Sequence, residues 1–315
     1  MNTEPTLLHA FKRHTVALAL LSAGLAAQAT CVNNGTIYLS QSSSNSVPTT
    51  LETSAGALPI NFIVAGTSAN RTYNALGYDP ITAKLYGITV NSRLLVEIDA
   101  ANGATTLVGG TGVVTGLPTN VSYNSGAFSD TGKYYVKPVG NNALLYEIDV
   151  TASPPTATPI TLSQAFITSD MAWVGSLMYS TADNGQLYSI DVATGATATV
   201  GGPDNLGGVL GAQFSGTNGL FGAANNGSGL YRINLATGRR DKISDAPSAN
   251  SNDGASCPTV ALFEPLPTDP NLPVNPPGSS VVAPVPTLDV AGLGLLSLLG
   301  AGAGALSLRR RKRGQ

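Results

Sequence analysis

Leu95-Val96-Glu97-Ile98-Asp99, Leu145-Tyr146-Glu147-Ile148-Asp149, Leu187-Tyr188-Ser189-Ile190-Asp191 and Leu230-Tyr231-Arg232-Ile233-Asn234 are four versions of one pentapeptide, with starts 50, 42 and 43 residues apart. Apolar and polar side chains alternate along them, which suits a half-buried strand and not a helix. Three run on into a glycine, at Gly103, Gly195 and Gly238. An Asx residue followed by glycine marks a tight turn into the next strand. A second strand lies upstream of each, built around Tyr86, Tyr135, Tyr179 and Phe221, and a fifth copy of it stands at Thr36-Ile37-Tyr38-Leu39. Before these comes a third strand of small residues with an aromatic end, at 74–78, 124–128, 169–173 and 210–214. A fourth follows the turn, as at 105–108 and 197–200.

Four short strands in a unit that recurs every 40–50 residues specify a β-propeller. The sequence supplies four complete blades, three strands near its N-terminal end and a lone innermost strand at 253–257. Joined, the two ends make a fifth blade and remove the open sheet edges that a ring would otherwise keep. The expected fold is therefore all-β, a five-bladed propeller over 30–264 whose closing blade is shared between both ends. Cys31 and Cys257 are the only cysteines, and each lies in the shared blade. In an oxidising compartment they are expected to pair.

The ends read as addresses. Lys12 and Arg13, a short apolar stretch at 15–26, and Ala27-Gln28-Ala29 have the three parts of a secretory signal peptide, with Ala27 and Ala29 at the cleavage site. This assigns 1–29 as a removable signal helix and the mature chain to export. Residues 265–286 contain eight prolines, so 265–284 is read as an extended linker. Residues 290–308 carry no charge, and Arg309-Arg310-Arg311-Lys312-Arg313 follows. Nineteen residues at a helical rise just span a hydrocarbon core, and the basic cluster holds the tail on the cytoplasmic side.

Val285-Pro286-Thr287-Leu288, the apolar span and the basic cluster together resemble the IPTL-CTERM sorting tail of Gram-negative bacteria, one of the PEP-CTERM/exosortase class of signals. Val285 replaces the usual Ile, and Asp289-Val290-Ala291 stands where the family carries an aromatic residue. The resemblance, confined to 285–315, implies transient inner-membrane insertion and cleavage near the motif by an exosortase-type enzyme. It also implies delivery to the cell surface or extracellular matrix. Tyr73-Asn74-Ala75-Leu76-Gly77-Tyr78-Asp79-Pro80, the Leu-Tyr-x-Ile-Asp strands and Asn252-Asp253-Gly254-Ala255-Ser256-Cys257 are similar to a family of uncharacterised bacterial propeller domains. That likeness implies a fold and no activity.

Charged residues are 11% of the chain and the formal net charge is −2. Acids outnumber the nine basic residues of the head, which disfavours nucleic acid as a partner. Both histidines, His9 and His14, fall in the signal segment, so the mature chain lacks imidazole for a catalytic triad or a histidine metal centre. Asp99, Asp149 and Asp191 recur at one place in the repeat and are read as turn residues. Asp170 and Asp253 do not follow that rule. With Asn74, Asn124 and Gln213 they are expected to ring the propeller axis, where they bind water, sugar hydroxyls or calcium, or serve as a carboxylate pair in catalysis. The expected role is a non-catalytic surface or matrix module, with no cofactor and no resident metal, contacting envelope glycans or proteins; the rival is a hydrolase or lyase acting on polysaccharide.

Overall fold

The structure, a computed structural model, describes residues 31–266 apart from 32–34, 43, 45, 67–68 and 249–250. The signal segment at 1–29, the linker beyond residue 266 and the sorting tail at 285–315 with its span at 290–308 lie outside the described residues. Within them, the strands form five four-stranded antiparallel sheets. Blade 1 takes β1 (Ile37–Ser42), β2 (Thr50–Ser54) and β3 (Ile63–Gly66) from the N-terminal end. Blade 2 is β4 (Tyr73–Asp79), β5 (Lys84–Thr89), β6 (Leu95–Ile98) and β7 (Thr105–Leu107). Blade 3 is β8 (Tyr123–Phe128), β9 (Tyr134–Pro138), β10 (Asn142–Asp149) and β11 (Thr156–Phe166). Blade 4 is β12 (Ala172–Val174), β13 (Leu177–Thr181), β14 (Leu187–Asp191) and β15 (Ala196–Val200). Blade 5 is β16 (Leu210–Gly216), β17 (Gly219–Ala224), β18 (Leu230–Ile233) and β19 (Arg240–Ser244).

The last strand, β20 (Ser251–Ser256), pairs with β1 and completes blade 1 from inside, with Tyr38 opposite Ala255. Both chain ends thus meet in one sheet, and the ring closes through ordinary ladder hydrogen bonds. The innermost strands touch in cyclic order: β20 meets β4, β4 meets β8, β8 meets β12, β12 meets β16, and β16 returns to β20. Cys31 and Cys257 are joined as a disulfide across 226 residues of sequence.

The recurrent Asx residues close the turns. Asp99 Oδ1 accepts from Ala101 N at 2.8 Å, Asp149 Oδ1 from Thr151 N at 2.9 Å, and Asp191 Oδ1 from Ala193 N at 2.9 Å. Asn234 does the same for Ala236 N at 2.9 Å. Gly103, Gly195 and Gly238 end these turns at φ of 75°, 74° and 73°, a backbone region that disfavours a Cβ.

The core lies between blades. Tyr86, Tyr135 and Tyr179 on the second strands are buried, as is Phe221 at the equivalent place. Tyr86 packs on Phe128 of the next blade at 5.5 Å, and Tyr135 stacks on Trp173 at 6.3 Å. Each ring leaves its own sheet to fill the gap to its neighbour, so the repeated aromatics are interblade cement and not exposed stacking platforms.

The disulfide fastens the blade that holds both ends. Replacing Cys31 and Cys257 by Ser should lower unfolding free energy by about 2–5 kcal/mol. Urea denaturation, compared with the parent chain with and without reductant, measures it; a midpoint unchanged by the substitutions would contradict this role.

Candidate functional site

Register places the inner residues in layers. Gly77 opposes Tyr86, Ala127 opposes Tyr135, Ala172 opposes Tyr179, Phe214 opposes Phe221, and Ala255 opposes Tyr38. Three residues before each, at the mouth of the axis, stand Asn74, Asn124, Ser169, Gly211 and Asn252. The next layer inward is Ala75, Ser125, Asp170, Ala212 and Asp253. Below it are Leu76, Gly126, Met171, Gln213 and Gly254. The five residues that the sequence groups as one ring therefore occupy three depths: Asn74 and Asn124 at the mouth, Asp170 and Asp253 below, and Gln213 deepest.

Asp170 and Asp253 are both 0% exposed. Backbone N–H groups of the third layer converge on them. Asp170 Oδ2 accepts from Gln213 N at 2.5 Å and from Gly254 N at 3.0 Å, and its Oδ1 accepts from Met171 N at 2.7 Å. Asp253 Oδ2 accepts from Leu76 N, and its Oδ1 from Gly254 N at 3.1 Å. Four of the five amides in that layer thus turn inward. Leu76 lies within the irregularity between Asn74 and Gly77 in β4, and Gln213 just after the one between Leu210 and Ala212 in β16. A bulge frees its residues from the ladder and re-aims them. The strands lie so close here that a Cβ on Gly254 would sit 2.6 Å from Gln213 O.

The two carboxyls also bond to each other. Such a bond needs a proton held between the two carboxyls. Burial pushes both acids up, Asp170 to about 8 and Asp253 well above the ordinary carboxylate value, the latter helped by the charge of Asp170. At neutral pH, where ordinary carboxyls are ionised, the pair therefore keeps a shared proton and does not carry two charges. Gln213 ties the pair to its neighbour: Nε2 donates to Asp170 O at 2.5 Å and Oε1 accepts from Thr181 N at 3.3 Å. Below lies a cavity of about 10 Å³ lined by Leu76, Gly126, Met171 and Gly254. That is close to the least space that holds one water.

At the mouth, Asn74 Oδ1 accepts from Ala75 N at 3.0 Å and Asn124 Nδ2 donates to Thr168 O at 2.8 Å. Asn225 and Asn252 also come together there, and the repeat pattern carries no mark of Asn225. Lys137 is a second residue hidden from sequence reasoning. It is 1% exposed, donates to Asn142 O and Oδ1 at 2.9 Å each, and lies 4.9 Å from the centre of the Phe166 ring. Burial away from any carboxylate pushes its amine down to about 8.

The chain belongs to the family described as a repeat of unknown function (DUF6923), whose model matches residues 38–259, from β1 to just beyond β20. Among solved structures it is similar to glutaminyl cyclase of Myxococcus xanthus, at 12% identity and a TM-score of 0.40, covering 58% of this chain and 71% of that one. It is also similar to a chain from a nidogen/laminin complex, at 9% identity and a TM-score of 0.45, covering 71% of this chain and 99% of that one. Comparison with curated protein sequences finds no match.

The acid pair makes a signed prediction. Both groups bind protons more tightly folded than unfolded, so the folded chain carries more protons and stability falls as pH rises from about 4 towards about 8. Asp253→Asn should flatten that fall, because an amide N–H can donate to Asp170 without a proton to lose. Melting temperatures of both forms across the window decide it, and identical slopes would remove the shared proton from the account.

Proposed function

We propose that this chain is an exported propeller that acts at the cell surface or in the matrix as a non-catalytic binding or structural module. The observation that carries this reading is the sealing of Asp170 and Asp253. A glycoside-cleaving enzyme needs two carboxyls open to a substrate, one on each side of the scissile bond. Here both are 0% exposed, capped by backbone N–H groups and bonded to each other. Their chemistry is spent on holding four of the five blades together at the axis. The polar mouth and the outer face of the ring are left for contacts with partners, for which envelope glycans and proteins are the classes considered.

Export is supported by the Cys31–Cys257 disulfide, a bond that persists in oxidising compartments. The signal-like leader adds to it. The tail extends the reading to sorting: signal peptidase removes 1–29, the apolar span at 290–308 enters the inner membrane, and an exosortase-type enzyme cuts near Val285-Pro286-Thr287-Leu288. The proline-rich linker would hold the head clear of the membrane while that happens.

Intact mass tests the reading directly. Protein is recovered from surface, inner-membrane and medium fractions of a Gram-negative host carrying a sorting enzyme. A surface form that starts near Thr30, lacks the tail beyond about Thr287 and gains the mass of two hydrogens on reduction is the expected result. A form that keeps its arginine-rich tail and stays in the inner membrane would contradict the sorting reading. Turnover of extracellular polysaccharide that Asp170→Asn abolishes, in protein that still melts cooperatively, would contradict the non-catalytic one.

A further inference from the structure

The described residues end at Leu266, and Leu266 lies in a groove. The chain is held firmly on its way there. Leu262 and Phe263 are buried after β20, Asn218 Nδ2 donates to Leu262 O at 2.7 Å, and Phe263 meets the Phe221 ring edge-on at 4.8 Å. The groove is open, has a volume of about 910 Å³, and lies between β19 and the loop that joins β2 to β3. Ile60 N in that loop donates to Ser244 Oγ at 3.0 Å and fastens it to the end of β19. Leu58, Pro59, Ile243 and Leu266 give the groove apolar walls, and Lys242 and Asp245 give it charge. β19 is the outermost strand of blade 5, so its far edge has no strand beside it. Folded proteins commonly cover such an edge with another part of the chain.

The sequence that follows has the period to do so. Prolines stand at 267, 270, 273 and 276, one at every third residue. A polyproline II helix has three residues per turn and rises about 3.1 Å for each. On that helix the prolines share one face, and Leu266, Asp269 and Leu272, each preceding a proline, share another. Leu266 already lines the groove, so its ridge would bring Asp269 and Leu272 in after it. A polyproline helix is preformed, so docking it costs little conformational entropy. The five residues of β19 span about 17 Å, a length that 267–272 would match. The charges agree as well. Lys242 keeps 46% of its side chain exposed beside Asp245, which is 94% exposed, and Asp269 is the one acid in 265–288.

We propose that residues 267–273 of this chain dock as a polyproline II helix in the groove along β19, with Leu272 between the apolar walls and Asp269 at Lys242. The first part of the linker is then fixed to the head. Only 274–284, about 34 Å when extended, separates the head from Val285-Pro286-Thr287-Leu288. The docked part precedes that motif, so a cut there would leave it on the head. The inference does not rest on the sorting reading, because the groove and the segment both belong to the uncut chain.

The test uses the full chain, purified in mild detergent, with no sorting enzyme present. A zero-length carbodiimide joins an amine to a carboxylate only where the two touch. Peptide mass should show Lys242 joined to Asp269 within single chains. The yield should fall severalfold in Leu272→Ser, which leaves both reacting groups in place. A protease that cuts before aspartate gives a second reading, at the Thr268–Asp269 bond. Cleavage follows the fraction of chains with the segment undocked, so Lys242→Ala and Leu272→Ser should each speed it about tenfold. Lys242 is on the surface and Leu272 follows the head in sequence, so both variants should melt like the parent. Cleavage rates unchanged in both variants would overturn the proposal, as would the absence of a Lys242–Asp269 product. A product formed only between two chains would overturn it too, and would give the groove to the segment of a second copy.

Discussion

Five sheets around one axis leave very little space at the centre, and what fills that space decides whether the ring can exist. In this chain the filling is a pair of its own carboxyls. The innermost strands turn the N–H groups of Leu76, Met171, Gln213 and Gly254 towards Asp170 and Asp253, drawing donors from blades 1, 2, 4 and 5 onto two carboxyls. Buried N–H groups without an acceptor are costly, and so is a buried charge without donors. Each defect is the remedy for the other. The shared proton keeps the pair from carrying two negative charges in one closed space.

Closure between the two ends of the propeller rests on different physics. β20 returns from the far end of the chain to pair with β1, and the disulfide locks the two ends that meet there. Asp253 belongs to that same strand, so the strand that closes the ring also carries half of the central carboxyl pair. Between rim and axis, the aromatic layer of Tyr86, Tyr135, Tyr179 and Phe221 supplies the apolar burial. Three kinds of force therefore hold the ring together.

The blades were legible because their signals are local. A period of two, an Asx residue and a following glycine identify a strand and its turn wherever they occur. The count of units then forces both the blade number and the sharing of the last blade, and the two cysteines follow from it. The axis was harder to read for a definite reason. Asn74, Asp170 and Gln213 stand three, two and one residues before the register reference of their own blades, so residues that the sequence groups together end at three depths. Asn225 gives no signal at all, since the equivalent positions hold Val90, Val139 and Asp183. Lys137 looks like any surface lysine until Phe166 is seen to cover it. The fourth strand of blade 3 carries Pro159, which a central strand excludes and an edge strand tolerates.

The central claim is that one proton stays between Asp170 and Asp253 when every ordinary carboxyl has lost its own. Isotope-edited infrared spectroscopy of the folded chain at neutral pH reads this directly. The account predicts a protonated carboxyl stretch, sheltered from rapid exchange in heavy water and absent when Asp170 and Asp253 are both replaced by Asn. A spectrum at neutral pH containing ionised carboxylates alone would contradict it, and the centre of the ring would then need another source of charge balance.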